Sequence, residues 1–188
     1  METMTGSPHT NRGPSAAASN RSALIRAART QFADAGLDVP LSAIARAAGV
    51  GQGVLYRHFP TRDDLAMAVF DENFAEVEAL AADPDVNLKE LLTFIVDQLT
   101  DSAAFIVMLD PVSTNDERLA ETAARMLALI TTKLDDPHQR GPIRGSMTAS
   151  DIIMALAMLA AVLVKTEPRD RKAVGQHAWK LLAHGLFQ

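Results

Sequence analysis

Apolar residues return every three or four positions along most of this chain, the spacing that puts them on one face of a helix, and no stretch alternates in the way a half-buried strand requires. The first helix is expected from near Asn20 to Ala35, with Leu24, Ala27, Ala28, Gln31 and Phe32 inward and Gly36 as its stop. A second, with Leu41, Ile44, Ala45 and Ala48 on one face, takes Ser42 as its cap and ends at Gly49. A third follows at once, from about Gln52 to Phe59, with Val54, Leu55 and Phe59 inward and Pro60 closing it. Thr61 and Asp64 form a capping box that opens a long fourth helix, Arg62 to about Ala81, marked by Leu65, Val69, Phe70, Val77 and Leu80.

The second half reads the same way. Asp83, Pro84 and Asp85 break the pattern, and Asn87 with Glu90 caps a helix to about Asp101. The apolar segment from Ser102 to Asp110 is one more helix or the continuation of the last, ended by Pro111. Another runs from about Asn115 to Leu134 with Leu119, Ala123, Met126, Leu127 and Ile130, followed by a Pro, Gly and Arg-rich loop. Thr148 with Asp151 opens a helix to about Lys165 that is apolar nearly all round and must be covered on more than one side. Pro168 sits in the first turn of the last helix, which carries Val174, Ala178, Leu181, Leu182, Leu186 and Phe187. The expected fold is all-α, with about nine helices.

Composition narrows the function. The 188 residues, 48% apolar, suffice for one sizeable core or a small domain joined to a larger one. The absence of cysteine excludes disulfides, thiolate metal sites and cysteine catalysis, and fits a cytoplasmic protein. No apolar run reaches the roughly 18 residues that span a bilayer, so no membrane is expected as a partner. The first 20 residues lack the apolar core of a signal peptide and read as a flexible arm, with Arg12 and Arg21 as a weak hold on DNA. Net charge is -5, but it is divided: residues 1–62 carry 7 Arg against 3 acids, a net of +4, and the remainder is acidic. A basic head releases counterions from a phosphate backbone while an acidic body stays off it.

The basic part contains AIARAAGVGQGVLYRHFPTRDDL, two short helices, a glycine turn and the start of a third helix, which is the spelling of a helix-turn-helix. Over Arg21 to Phe70 the chain closely resembles the DNA-binding signature of TetR-type bacterial transcriptional regulators. The resemblance implies a small amino-terminal DNA-binding domain, a larger helical domain that binds an effector and dimerises, and usually repression. The organisation expected is an arm over 1–20, a helix-turn-helix domain over 21–66 and an effector and dimerisation domain over 67–188. Gly51 stands where the family often has Ser, Gln52 where Lys or Arg is frequent and Val54 where Thr is usual, departures that bear on operator sequence and affinity.

Candidate DNA-binding residues are Ser42, Gln52, Gly53, Tyr56, Arg57, His58 and Arg62. Ser42 offers a hydroxyl to phosphate, and by resemblance Tyr56, His58 and Arg62 also approach the backbone. The Gln52 amide can read adenine in the major groove, with Arg57 as a second reader, and Gly53 allows close approach of the helix backbone. Phe74, Phe94, Phe105, Met108, Met126, Met154 and Met158 are candidate walls of an effector pocket, since methionines suit adaptable apolar sites. In the family the last two helices make a four-helix dimer interface, which implies Ile152, Leu156, Trp179, Leu182, Ala183 and Leu186 for that role and an inverted-repeat operator as the double-stranded DNA partner.

An enzyme is not expected: no Gly-rich phosphate loop, HExxH pair or GxSxG elbow occurs, and the paired carboxylates sit at caps, exposed faces or a loop. His138 and His177 are too isolated for a metal site, and no cofactor is expected. The reading is a homodimeric repressor released by a small apolar or amphipathic effector. The alternatives are an activator, or a small-molecule binding or sequestering protein with a degenerate DNA-binding head.

Overall fold

A computed structural model describes residues 13–102 and 117–187. Among them are nine α-helices: α1 Gly13–Ala35, α2 Leu41–Ala47, α3 Gln52–His58, α4 Arg62–Ala81, α5 Leu88–Asp101, α6 Glu117–Asp135, α7 Pro137–Arg140, α8 Ala149–Val164 and α9 Arg171–Leu186. The described residues contain no strand, only a single antiparallel bridge between Ile143 and Phe187. None of these helices is long and apolar enough to cross a membrane. The apolar segment to Asp110 lies outside the described residues.

Local chemistry sets most helix starts. Thr61 and Asp64, Asn87 and Glu90, and Thr148 and Asp151 each form the reciprocal capping box expected of them, satisfying two backbone N–H groups at the openings of α4, α5 and α8. At α8 the Thr148 hydrogen bonds hold the Asp151 carboxyl below its ordinary range. That support is present above the usual carboxylate pKa and is lost as pH falls through the lowered value. Gly36 and Gly49 take φ values of +79° and +70°, the left-handed geometry that lets α1 and α2 stop.

Several expectations are corrected. Helix α1 starts at Gly13 rather than Asn20, so residues 13–20 continue it instead of belonging to an arm. It buries Leu24, Ile25, Ala28 and Phe32, leaving Ala27 and Gln31 half-buried. Ser42 is not a cap: Pro40 occupies that position, and its carbonyl accepts from Ala43 and Ile44. Residues 137–140, expected as loop, form a helix because the Asp136 carboxylate accepts from the amides of His138 and Gln139. Pro168 opens a separate 3-10 turn, Pro168–Asp170, ahead of α9. On α6 the buried face is Thr122, Met126, Ile130, Lys133 and Leu134, so Ala123 and Leu127 are exposed.

Two apolar cores result. The smaller gathers Leu24, Ile25, Ala28 and Phe32 of α1, Ile44 and Ala45 of α2, and Leu55 and Phe59 at α3, with Leu65, Ala66, Ala68 and Val69 of α4. The larger begins with Met67, Phe70, Phe74 and Val77 of the same α4 and adds the inward faces of α5, α6, α8 and α9. Each fully buried Leu, Ile or Phe contributes roughly 1.5–3 kcal/mol. Buried Lys133 donates to the carbonyls of Asp83 (2.9 Å) and Val86 (2.7 Å), tying the turn after α4 to α6. A second junction lies at the far side of the head, where the 3-10 turn touches α1. There a crevice of about 320 Å³ separates Gly36, Leu37 and Asp38 from Lys165, Thr166, Glu167 and Arg171.

Helix α9 comes against α5 at Gly175, where a Cβ would overlap the Thr100 methyl group. Gly175→Ala should destabilise the protein by about 1–3 kcal/mol in chemical denaturation. Adding Thr100→Ser, which deletes that methyl, should recover most of the loss; no recovery would place the cost elsewhere.

Candidate nucleic-acid interface

The geometry of the reading helix follows from which residues the small core claims. Leu55 is buried, as is Phe59 just beyond the helix end, and Val54 is half-buried. At helical spacing this leaves Gln52, Gly53, Tyr56 and Arg57 together on the opposite, exposed face. Tyr56 is 52% exposed, unusual for a large aromatic side chain with a core within reach. His58 is half-buried, its ring tilted against Phe59 at 6.3 Å. Gly51 caps α3 without a side-chain bond, and its carbonyl accepts from Val54 and Leu55 at 2.9 and 3.2 Å. A Cβ at Gly53 would meet nothing within 4 Å, so nothing inside the head requires glycine there.

Helix α2 packs against α3. Pro40 at the cap has no side-chain acceptor to give, so the first amides of α2 remain for an outside acceptor, with Ser42 half-buried at the second helical position. Arg46 and Arg57 are exposed, and Arg21 stacks over the Phe59 ring at 5.4 Å, bringing the positive charge of α1 to the end of α3.

Arg62 has a role that the sequence did not disclose. Its guanidinium donates through one nitrogen to the carbonyls of both Leu37 and Val39, holding the α1–α2 connection against the start of α4. It is a brace of the head before it is a charge for phosphate. Further along α4 a polar chain joins three helices: Arg29 on α1 pairs with Glu76 on α4 at 2.8 Å, and the same carboxylate accepts from Gln98 on α5 at 2.8 Å.

Of the residues expected around an effector, Phe74, Met126 and Phe94 share the larger core, whereas Met154 and Met158 face away from it. Phe74 and Met126 are buried in the larger core. Phe94 is half-buried and lines a surface groove of about 610 Å³ with Lys89, Thr93 and Asp97. Met154 and Met158 point outward, 60% and 47% exposed, because α8 turns Ile152, Leu156 and Leu159 to its own core. Phe105 and Met108 lie outside the described residues. The expected dimer set divides likewise. Ile152, Leu156 and Leu186 are buried within their own chain, and Trp179, Leu182 and Ala183 are half-buried. Met154, Met158, Val162 and Leu181 are the exposed apolar groups of these two helices, with Val164 at the end of α8.

Two short helices about a left-handed glycine, with an exposed polar face on the second and a basic surround, make this a helix-turn-helix DNA-binding protein. Residues 24–69 match the sequence profile of the bacterial regulatory proteins of the tetR family. The fold is similar to that of the TetR transcriptional regulator SCO0520 from Streptomyces coelicolor, with 28% identity over 89% of this chain and 98% of that one and a TM-score of 0.61. It is also similar to CprB from S. coelicolor A3(2), at 20% identity over 92% and 90% of the two chains and a TM-score of 0.60. A gamma-butyrolactone receptor, an ArpA-like protein, matches at 21% identity over 92% and 90%, with a TM-score of 0.56. No curated protein sequence matches the chain. Residues 24–69 thus have the sequence and the geometry of a tetR-type DNA-binding domain, and the chain as a whole has a fold similar to that of TetR transcriptional regulators.

Arg62→Ala should lower the stability of the head by about 1–3 kcal/mol, since it removes charge-assisted bonds to two carbonyls, and weaken binding to all DNA sequences alike. Thermal denaturation with parallel DNA titrations checks this; a variant as stable as the parent would leave phosphate contact as its only role. Gln52→Ala should leave stability unchanged and relax base preference at one or two symmetric positions, by about 1–3 kcal/mol per lost bidentate contact. Binding to a set of operator variants reads the difference.

Proposed function

We propose that this protein is a homodimeric repressor that holds an inverted-repeat operator and lets go when a small apolar or amphipathic effector enters its larger domain. The observation that carries the reading is that α4 belongs to both cores. Its first turns are buried among the helices of the head, and its later turns, from Phe70 to Val77, are buried in the body. A ligand that repacks the body therefore moves the head by way of one continuous helix.

On DNA, Gln52 and Arg57 of each α3 read base edges, while Ser42, the opening amides of α2 and Tyr56 take phosphate. Gly53 lets the reading helix lie close, which accounts for a glycine the head itself does not need. Dimerisation is assigned to the outer face of α8, where Met154, Met158 and Val162 follow one another at four-residue spacing, together with Leu181 of α9. These exposed side chains are a better interface than the residues expected from sequence, because covering them costs the monomer core nothing. The two reading helices must then lie about 34 Å apart, one turn of DNA, or a multiple of it. An effector that prefers the released state by only about 1.4 kcal/mol lowers operator affinity tenfold.

Met158→Glu should yield folded monomers by sedimentation and lose most operator affinity, since Met158 is exposed in the single chain and the charge is harmful only inside an interface. A mutant that remains dimeric would put the interface elsewhere. Effector action is tested by screening apolar compounds for thermal stabilisation and titrating operator in the presence of each that stabilises. Stabilising compounds that leave operator affinity unchanged would end the effector-release reading.

A further inference from the structure

Among the described residues, the larger core holds one polar side chain with an open valence. Asn73, in the middle of α4, is 0% exposed. Its Nδ2 donates to Ser102 Oγ at 2.9 Å, at the end of α5, while its Oδ1 is buried with no hydrogen-bond partner. A buried amide oxygen left unsatisfied costs about 1–3 kcal/mol, so a side chain of this kind is out of place in a core that serves packing alone. Phe70 and Val77, buried and apolar, share its side of α4, and Phe70 stacks with Phe74 at 6.1 Å; Glu76, three residues on, is exposed and engaged by Arg29 and Gln98.

We propose that Asn73 is the polar anchor of the effector site, its oxygen accepting a hydrogen bond from a neutral, mostly apolar molecule that carries one O–H or N–H donor. The proposal rests on the effector-release reading above and names the chemistry of its ligand. Neutrality follows from the surroundings. Among the described residues the buried polar side chains of the body are Asn73, Thr100, Ser102, Thr122 and Lys133, and Lys133 is committed to the carbonyls of Asp83 and Val86. Among the described residues a charged ligand would find no uncommitted buried counter-charge in the body and would bear the full cost of desolvation. The donor requirement follows from the bond to Ser102, which engages the amide nitrogen and leaves the oxygen. Because Asn73 is wholly covered in the free protein, occupation must part the packing around α4, the helix that carries the head.

The test uses matched pairs of probes that differ only in the donor: 2-naphthol against 2-methoxynaphthalene, and 1-octanol against octyl methyl ether. Calorimetric titration of the full chain should show the donor member of at least one pair binding about tenfold tighter than its ether, the loss expected for one buried hydrogen bond. Asn73→Leu should erase that preference, and because it removes the unpartnered acceptor along with the bond to Ser102, its melting temperature should stay close to the parent's. Asn73→Ala gives the same readout if leucine overfills the site. Equal affinities within both pairs, no binding by any probe, or a preference that survives in both variants would overturn the proposal. Operator affinity measured in the same samples separates the two readings. Donor discrimination without any change at the operator would keep the anchor and refute effector release. Compounds that release DNA equally from parent and Asn73→Leu would keep effector release and refute the anchor.

Discussion

Everything in this molecule hangs on the burial of one helix in two cores. The early turns of α4 close the three-helix head with Leu65, Ala66 and Val69, and a turn later the same helix contributes Phe70, Phe74 and Val77 to the body. A rigid α-helix rises 1.5 Å per residue, so a displacement felt at Phe74 reaches Leu65 with little loss. Polar contacts reinforce it from both sides. Arg29 reaches Glu76 from α1, Gln98 reaches the same carboxylate from α5, and Arg125 of α6 pairs with Glu78 while its guanidinium covers the Phe74 ring. The pairs are half-exposed and individually weak; their effect is to fix the rotation of α4 about its own axis, which decides where both sets of apolar residues point.

What was legible in the sequence was what is local. Capping boxes at Thr61, Asn87 and Thr148 and the stops at Gly36 and Gly49 need only residues a few positions apart, and each is found where spacing put it. The helix after Asp136 was legible too, since an Asp cap followed by Pro is a start signal; it was hidden by the glycines and arginines that follow. Ser42 was misassigned because Pro40, two positions earlier, already holds the capping geometry, and a proline carbonyl opens a helix as well as a serine one.

What was not legible depends on partners distant in the chain. The two carbonyls that Arg62 grips lie in the loop before α2, and nothing near Arg62 announces them. Periodicity identified α8 as a helix needing cover on more than one side, but it could not say which apolar residues would meet their own chain. Ile152 and Leu156 went inward and Met154 and Met158 outward because α5 and α6 come from only one direction. Asn73 drew no notice at all: a lone Asn between apolar positions reads as a surface residue until the fold closes over it.

The crevice between the α1–α2 connection and the 3-10 turn at Pro168 has a geometric consequence. Among the described residues the head meets the body through α4, flanked by the Arg29–Glu76–Gln98 chain, and again where α1 touches that turn. An object held at one point can swing in any direction, whereas one held at two can turn only about the line that joins them. In the dimer proposed above, such a restraint would narrow the directions in which each reading helix can move. Separation and tilt in the groove would then change together, and the proposed operator would be distinguished by the spacing of its half-sites as well as by its bases.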